Sequence, residues 1–341
     1  MSGETALALH DVRVTRGCGD GRLELVHGID LAVAAGAVCG VVGETGAGKT
    51  LTMRAVLGLL PRGLESSGAI ELGGQRVDLA TPAIARRALL GRELALVPQN
   101  PAAMLDPVVR VGDQLVEGVV RRRMSTPAEA RSRALELLSQ VGFRDPERIV
   151  RLHPHQLSGG MSQRVGIAMA LVPRPRVLIV DEPTSALDAH LRIEILSLIR
   201  TIARAERTAV VLVSHDLGLV ARFCDTVAVL YAGTIVESGP AAAVIERPRH
   251  PYAVALRAVA PRLTATRRAR LTTIPGVPPT PDSIGAGCPF APRCPRVEPL
   301  CRELRPALAG PPQQPAACHV VNRAARSRAP RSTGEAHAGR R

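Results

Sequence analysis

The stretch Gly43-Glu44-Thr45-Gly46-Ala47-Gly48-Lys49-Thr50 follows directly on AVCGVV, Ala37 to Val42, and leads into TLTMRAVLGLL. The run before it has the continuous apolar composition of a buried strand. The run after it has helical spacing as far as Pro61. A glycine-rich loop of the pattern Gly-x-x-x-x-Gly-Lys-Thr between a strand and a helix is built to hold phosphate. Glycines let backbone N–H groups point inward, and the helix N-terminus adds partial positive charge. The lysine reaches the β/γ-phosphates, and the Thr50 hydroxyl can ligate Mg²⁺. Gly43, Glu44, Thr45, Gly46, Ala47, Gly48, Lys49 and Thr50 are the candidate nucleotide contacts.

Lys49 is also the only lysine among 44 basic residues; the other 43 are arginine. An ammonium is a compact charge on a thin stem, whereas a guanidinium fork is wider and differently aimed. A coding bias toward arginine accounts for the 43. A steric and electrostatic demand accounts for the exception.

Working outward, LALHDVRV and RLELVHGIDL flank a Gly-Asp-Gly turn at Gly19–Gly21 and read as a hairpin of short strands. Residues 85–165 read as mainly helical and charged. RVLIVDEP, Arg176 to Pro183, and AVVLVSHD, Ala209 to Asp216, are further buried strands. Between them HLRIEILSLIRTIARAE puts Leu191, Ile195, Ile199 and Ile202 on one helical face. Strands alternating with helices imply a parallel sheet with ligands at the carboxyl ends of its strands. Asp181 and Glu182 end such a strand. After a phosphate loop, Asp181 is placed to hold hydrated Mg²⁺, and Glu182 to take a proton from an attacking water.

The totals fit this picture. A chain of 341 residues suits about two domains. Hydrophobic residues make up 46% and aromatics 1%, with no Trp, so aliphatic side chains must fill the core. The net charge of +14 invites a nucleic-acid or anionic-membrane partner. Two Tyr and three Phe make little of a stacking platform for single strands, so an ordinary arginine-rich solvated surface accounts better for the charge. No signal peptide is visible. The longest near-apolar run, Leu31 to Gly43, has 13 residues including three glycines, short of the roughly 20 that span a bilayer. A soluble, cytosolic chain able to sit on a membrane protein is expected.

LSGGMSQR, Leu157 to Arg164, exposes the Ser158 hydroxyl and the Gly159 and Gly160 N–H groups before an apolar helical segment, a second anion-binding helix start. This stretch resembles the signature motif of ABC ATPases. The expected fold is α/β, a P-loop NTPase core with a mixed or parallel sheet and a helical subdomain at about 85–165. The resemblance implies a dimer in which the signature of one subunit, here Ser158, Gly159 and Gly160, covers the γ-phosphate held by the other's P-loop. ATP with Mg²⁺ is the implied ligand. Three further stretches match in order. Gln99 resembles the Q-loop glutamine that touches Mg²⁺ and the attacking water and senses the transmembrane partner. Ser185-Ala186-Leu187-Asp188 resembles the D-loop. His215 resembles the switch histidine at the γ-phosphate. Met161 departs from the commoner glutamine of the signature. Arg16 falls where the family usually stacks an aromatic on adenine; a guanidinium can also stack on a base.

After about residue 247 the chain turns Pro- and Arg-rich. Cys288, Cys294, Cys301 and Cys318 have the spacing C-x₅-C-x₆-C-x₁₆-C, wider than most zinc sites. In a reducing compartment such a group suggests metal before disulfide, and four thiolates can hold an iron–sulfur (4Fe–4S) cluster. Structural zinc and uncommitted thiols remain open. From His250-Pro251-Tyr252 the segment resembles the C-terminal extension of ATPase subunits of the oligopeptide/dipeptide/nickel importer family, as does QNPAAMLDPVVRVGDQL. Some members of that family carry an iron–sulfur cluster in this extension. The expected division is 1–247 ATPase domain, 248–321 cysteine-containing extension and 322–341 disordered basic tail.

The resemblance implies an ATP-hydrolysing subunit of an importer for peptides or a related solute such as nickel, peripheral on the cytoplasmic face of the membrane. Implied partners are two membrane-spanning permease subunits, a second ABC ATPase chain and an extracytoplasmic solute-binding protein, with no specific nucleic acid. One alternative is a non-transport ABC ATPase on ribosomes or nucleic acid. It fits poorly with a single cassette, no sustained heptads and the importer-like extension. A regulatory subunit that does not hydrolyse would need a degenerate site, yet Lys49, Asp181, Glu182 and His215 are all present.

Overall fold

The computed structural model describes residues 4–18, 21–81, 86, 88–182, 189–260 and 273–328. The N-terminal hairpin forms, with strands longer than the sequence suggests: β1 (Thr5–Cys18) and β2 (Gly21–Ala34) pair antiparallel over 14 residues each. With β4 (Leu64–Leu72) and β5 (Gln75–Asp78) they make an antiparallel sheet of order β2-β1-β4-β5. The second sheet holds β3 (Val38–Val42), β6 (Leu94–Val97), β7 (Val177–Asp181), β8 (Ala209–Ser214), β9 (Thr226–Tyr231) and β10 (Thr234–Pro240), in the order β10-β9-β3-β8-β7-β6. Its pairings are parallel except β9–β10, so the sheet is mixed.

β3, β7 and β8 are near-continuous Val/Ile/Leu runs because helices or the antiparallel sheet cover both of their faces. Helix α1 (Lys49–Leu57) lies between the sheets. It stops at Leu57 rather than running toward Pro61, because Gly58 takes a left-handed conformation (φ 67) and closes the helix C-terminus.

Four helices follow β6: α2 (Val111–Arg121), α3 (Pro127–Gln140), α4 (Pro146–Arg151) and α5 (Gly159–Leu171). Thr126 and Glu129 form a reciprocal capping box at the start of α3. Val111, Leu115 and Val119 recur every fourth residue on α2. They join one apolar core with Val97, Val180 and Leu212 of the sheet and with Ile195, Ile199 and Ile202 of α6 (Ala189–Glu206). The strand β6 interrupts the stretch read as helical. Leu191 and the stretch Ser185–Asp188 lie outside the residues whose side chains are described.

Beyond β8 come α7 (Leu217–Phe223), β9, β10, α8 (Ala241–Glu246) and α9 (Pro251–Val259). The extension adds two single turns, Pro281–Ser283 and Ala291–Arg293, then α10 (Pro299–Glu303) and α11 (His319–Arg328). α11 continues past Asn322, where the tail was expected to lose structure. Three of the five aromatic residues gather at the seam between extension and sheet. Tyr231 and Tyr252 have ring centroids 4.5 Å apart, and Phe290 stands edge-on to both at 5.2 and 5.5 Å. In a core otherwise packed with aliphatics, this cluster fastens the extension to β9. Buried Glu237 of β10 stitches the same seam: its carboxylate accepts the N–H groups of Arg249 and His250 and the Gln314 amide. Among the described residues no helix is long and apolar enough to cross a membrane.

Candidate active site

The loop Gly43–Thr50 leaves the fully buried β3 and enters α1. Gly43 has φ 156, and a Cβ there would lie 2.2 Å from the Leu230 carbonyl oxygen, so any larger residue displaces the loop from β9. Gly48, at φ 98, is the N-cap of α1 and offers no side-chain acceptor to the first N–H groups of the helix. Those donors and the helix dipole are therefore free for an anion. Lys49 is 6% exposed, and its Nζ donates to the carbonyls of Gly43 (2.8 Å) and Glu44 (3.0 Å). Burial lowers its pKa, opposed by the charges of Glu182, Asp181 and Glu44.

Parallel pairing brings the other polar groups to the same end of the sheet. Asp181 ends β7, and its Oδ1 accepts the Thr50 hydroxyl at 3.1 Å. Burial raises the Asp181 pKa, against the lowering effects of the Thr50 hydrogen bond and of Arg54 and Lys49. A hydroxyl beside a half-buried carboxylate is a donor set that suits a hard cation such as Mg²⁺, whose charge would relieve that carboxylate. Glu182 has φ 45, and its N–H donates to Val213 O at 3.0 Å. Its Oε1 lies 3.2 Å from His215 Nδ1. His215 precedes α7, whose first N–H groups are accepted by Asp216. Gln99 is exposed on the loop past β6. β6 pairs in parallel with β7, which puts that loop at the same end as Asp181.

The structure brings together Gly43–Thr50, Asp181, Glu182 and His215. It does not bring the signature to them. Ser158 caps α5, accepting the Met161 N–H at 3.3 Å, and Gly159 is exposed. Among the described residues no hydrogen bond or ion pair links Ser158, Gly159 or Gly160 to Gly43–Thr50. Arg16 is exposed near the end of the hairpin, opposite Leu23 and Leu64. The D-loop stretch with Asp188 lies outside the described residues.

Cys288, Cys294, Cys301 and Cys318 wall one small cavity of about 10 Å³, with Phe290, Ala291, Pro306 and Val320 among its other lining residues. The Cys288 N–H donates to Cys301 O at 2.8 Å. Burial pushes the Cys288 thiol up to about 11, and burial likewise raises that of Cys294. All four are free thiols. No three His, Cys, Asp or Glu side chains among the described residues are spaced to hold a metal ion. The convergence of the four residues is present; a closed single-ion site is not.

Three residues at the loop have no sequence signal of their own. Tyr252 Oη accepts the Glu44 N–H at 2.8 Å. Arg293 grips the Glu44 carboxylate with both ends of its fork, at 2.7 and 3.1 Å, and also donates to Tyr231 Oη at 3.2 Å. His250-Pro251-Tyr252 marks where the extension starts, but nothing in its spacing says that its tyrosine touches the phosphate loop.

Residues 26–185 match the family model "ABC transporter", and residues 236–301 match "Oligopeptide/dipeptide transporter, C-terminal region". The chain is 38% identical over 312 residues to the oligopeptide transport ATP-binding protein OppD of Salmonella typhimurium, covering 92% of each chain. It is 41% identical over 284 residues to the dipeptide transport ATP-binding protein DppD of Escherichia coli, covering 83% of this chain and 86% of that one. A dimeric bacterial ABC transporter cassette superposes with a TM-score of 0.59 at 25% identity, over 69% of this chain and 98% of that one.

Proposed function

The chain belongs to the ABC transporter ATP-binding proteins of the oligopeptide/dipeptide kind, and on that premise we propose that it binds and hydrolyses ATP to power an importer of peptides or a related small solute. One observation carries this reading: a loop–carboxylate–histidine cluster and an importer-type extension meet in one chain, joined at Glu44.

In this reading residues 1–247 are the ATPase domain, with a helical subdomain at about 85–165, and 248–321 the extension. The N–H groups of Gly43–Thr50 and the Lys49 ammonium hold the triphosphate, the ammonium exchanging two carbonyls for phosphate oxygens. Arg16 lies against the base. Thr50, Asp181 and Gln99 would hold Mg²⁺, which supplies charge neutralisation at the phosphates. Glu182 accepts the proton of the attacking water, oriented by His215. Among the described residues Ser158, Gly159 and Gly160 make no hydrogen bond to Gly43–Thr50, which suits a dimer in which they complete a partner's site; Asp188 is the D-loop residue of this reading. The dimeric form of the similar cassette supports a dimer. The second ATPase chain is either a different subunit, giving a heterodimer, or a copy of this one, giving a homodimer. Two permease subunits docked near Gln99 and an extracytoplasmic binding protein complete the importer, with this chain peripheral on the cytoplasmic face.

Cys288, Cys294, Cys301 and Cys318 are the set that would hold a 4Fe–4S cluster. They match it in donor type and line one cavity, but at about 10 Å³ that cavity would have to open to admit a cluster. A cluster would stabilise the Cys288 and Cys294 thiolates, which burial otherwise disfavours.

Reconstitution tests the function. Co-expressed with the two membrane subunits, the second ATPase and the binding protein, the chain should drive ATP-dependent uptake of a labelled di- or oligopeptide into vesicles. Lys49→Ala should abolish that uptake. Uptake unaffected by Lys49→Ala overturns the reading.

A further inference from the structure

Arg293 lies in the cysteine segment, 249 positions along the chain from the loop residue it holds. Its side chain is 3% exposed. Every direction of its guanidinium is committed: Nη1 to Glu44 Oε2 and Tyr231 Oη, Nη2 to Glu44 Oε1 and Ile274 O, Nε to Pro275 O at 2.9 Å. A fork fixed at all its donors has one orientation, so it dictates where the Glu44 carboxylate sits. The turn that carries it, Ala291–Arg293, follows Phe290, which is wedged against Tyr231 and Tyr252. Tyr252 then takes the Glu44 N–H. The extension therefore holds one loop residue by both side chain and backbone.

That residue is not peripheral to the loop. The Glu44 carbonyl is one of the two acceptors of Lys49 Nζ, and Gly43, the other, has no room to retreat from Leu230. Moving the Glu44 peptide moves the carbonyls that aim the ammonium. We propose that Arg293 is a positioning residue for nucleotide: acting through Glu44, it sets the shape of the phosphate loop and makes the C-terminal extension part of the ATP-binding apparatus. This rests on the reading that Gly43–Thr50 holds the triphosphate.

If the bridge only braced the fold, removing one partner would leave a buried charge unpaired and lower stability, with no specific effect on nucleotide. The test is a double-mutant cycle on the full-length chain, reading the Kd of a fluorescent ATP analogue with Mg²⁺ alongside the melting temperature. Arg293→Gln and Glu44→Gln should each weaken binding by roughly tenfold, the scale of a lost charge-assisted contact. The double variant should be no weaker than either, and Arg293→Lys, which keeps charge without the fork, should fall between. Wild-type affinity in Arg293→Gln with a lowered melting temperature overturns the proposal, as do losses that multiply in the double variant. Should Arg293→Gln fail to fold, Glu44→Gln and Arg293→Lys decide: wild-type affinity in both overturns it. Lys49→Ala is the control for the underlying reading. If Lys49→Ala binds normally the phosphate-loop assignment is wrong; if it does not bind while the Arg293 and Glu44 variants do, only this proposal falls.

Discussion

Glu182 holds its carboxylate 3.2 Å from His215 Nδ1 from a backbone at φ 45, a left-handed conformation that a non-glycine residue adopts at some cost. The strand hydrogen bond from Glu182 N–H to Val213 O keeps it there. The strain aims the side chain off the end of β7 instead of along the sheet face. Glu182→Gln keeps the shape and removes the base. Steady-state turnover should fall by about 10²–10⁴-fold with ATP binding retained. Phosphate release and analogue titration, run with the partner ATPase present, measure the two separately. Near-wild-type turnover removes Glu182 from the role.

Lys49→Arg is the informative substitution in an arginine-rich chain. Lys49 is 6% exposed and its ammonium bonds two carbonyls, a setting that suits a compact charge on a thin stem better than a planar fork. Nucleotide affinity should drop by roughly 10²-fold, the order of one or two charge-assisted bonds, with far-ultraviolet circular dichroism unchanged. Wild-type affinity would mean that charge alone, not its shape, matters here.

Gly166 of α5 is a case where propensity and packing disagree. Glycine to alanine inside a helix ordinarily gains up to about 1 kcal/mol. Here the new Cβ would lie 2.4 Å from Pro101 Cβ, a ring that cannot swing aside. Overpacking of about 1–3 kcal/mol should win, so Gly166→Ala should melt below wild type. A higher melting temperature would show that the turn after Gln99 yields freely.

His250 is buried neutral: burial lowers its pKa from 6.5 to about 4. Between those values the unfolded chain binds more protons than the folded one, so stability rises with pH across that window. It is lost as the pH falls from 6.5 through 4, by roughly 3 kcal/mol in all. Glu237, whose N–H donors include His250, has a pKa raised by burial and contributes with the opposite sign, which makes the comparison with a variant essential. His250→Asn keeps an acceptor for the Tyr252 N–H and does not titrate. Its urea midpoint should be flatter from pH 7 to 4.5 than that of wild type; parallel curves contradict the assignment.

Anaerobically purified protein should be brown and contain iron, and Cys294→Ser should lose both. Colourless, iron-free protein from such a preparation overturns the cluster assignment.

The candidate cluster was legible because its parts announce themselves locally. Val38–Val42, Val177–Asp181 and Ala209–Ser214 are continuous apolar runs, and Lys49, Asp181, Glu182 and His215 stand at or just past their carboxyl ends or at the helix that follows. Four-residue β6 was not, since LALV is too short to separate from its helical surroundings by periodicity. β4 pairs with β1 and β9 with β3, both distant in sequence, so those partners are set by tertiary packing, whereas β5 and β10 pair with their neighbours across the Gly73-Gly74 and Ala232-Gly233 turns. The grip of Arg293 on Glu44 had no signal in spacing at all, because it exists only once the extension is folded back onto β9.

The chain has two tyrosines and no tryptophan, and both phenols stand at the junction of extension and phosphate loop, one bonded to Arg293 and the other to the Glu44 amide. Nature has thus installed a private optical reporter. Ultraviolet emission from this protein, which in most chains averages over many fluorophores, comes here from a single locality beside the phosphate loop.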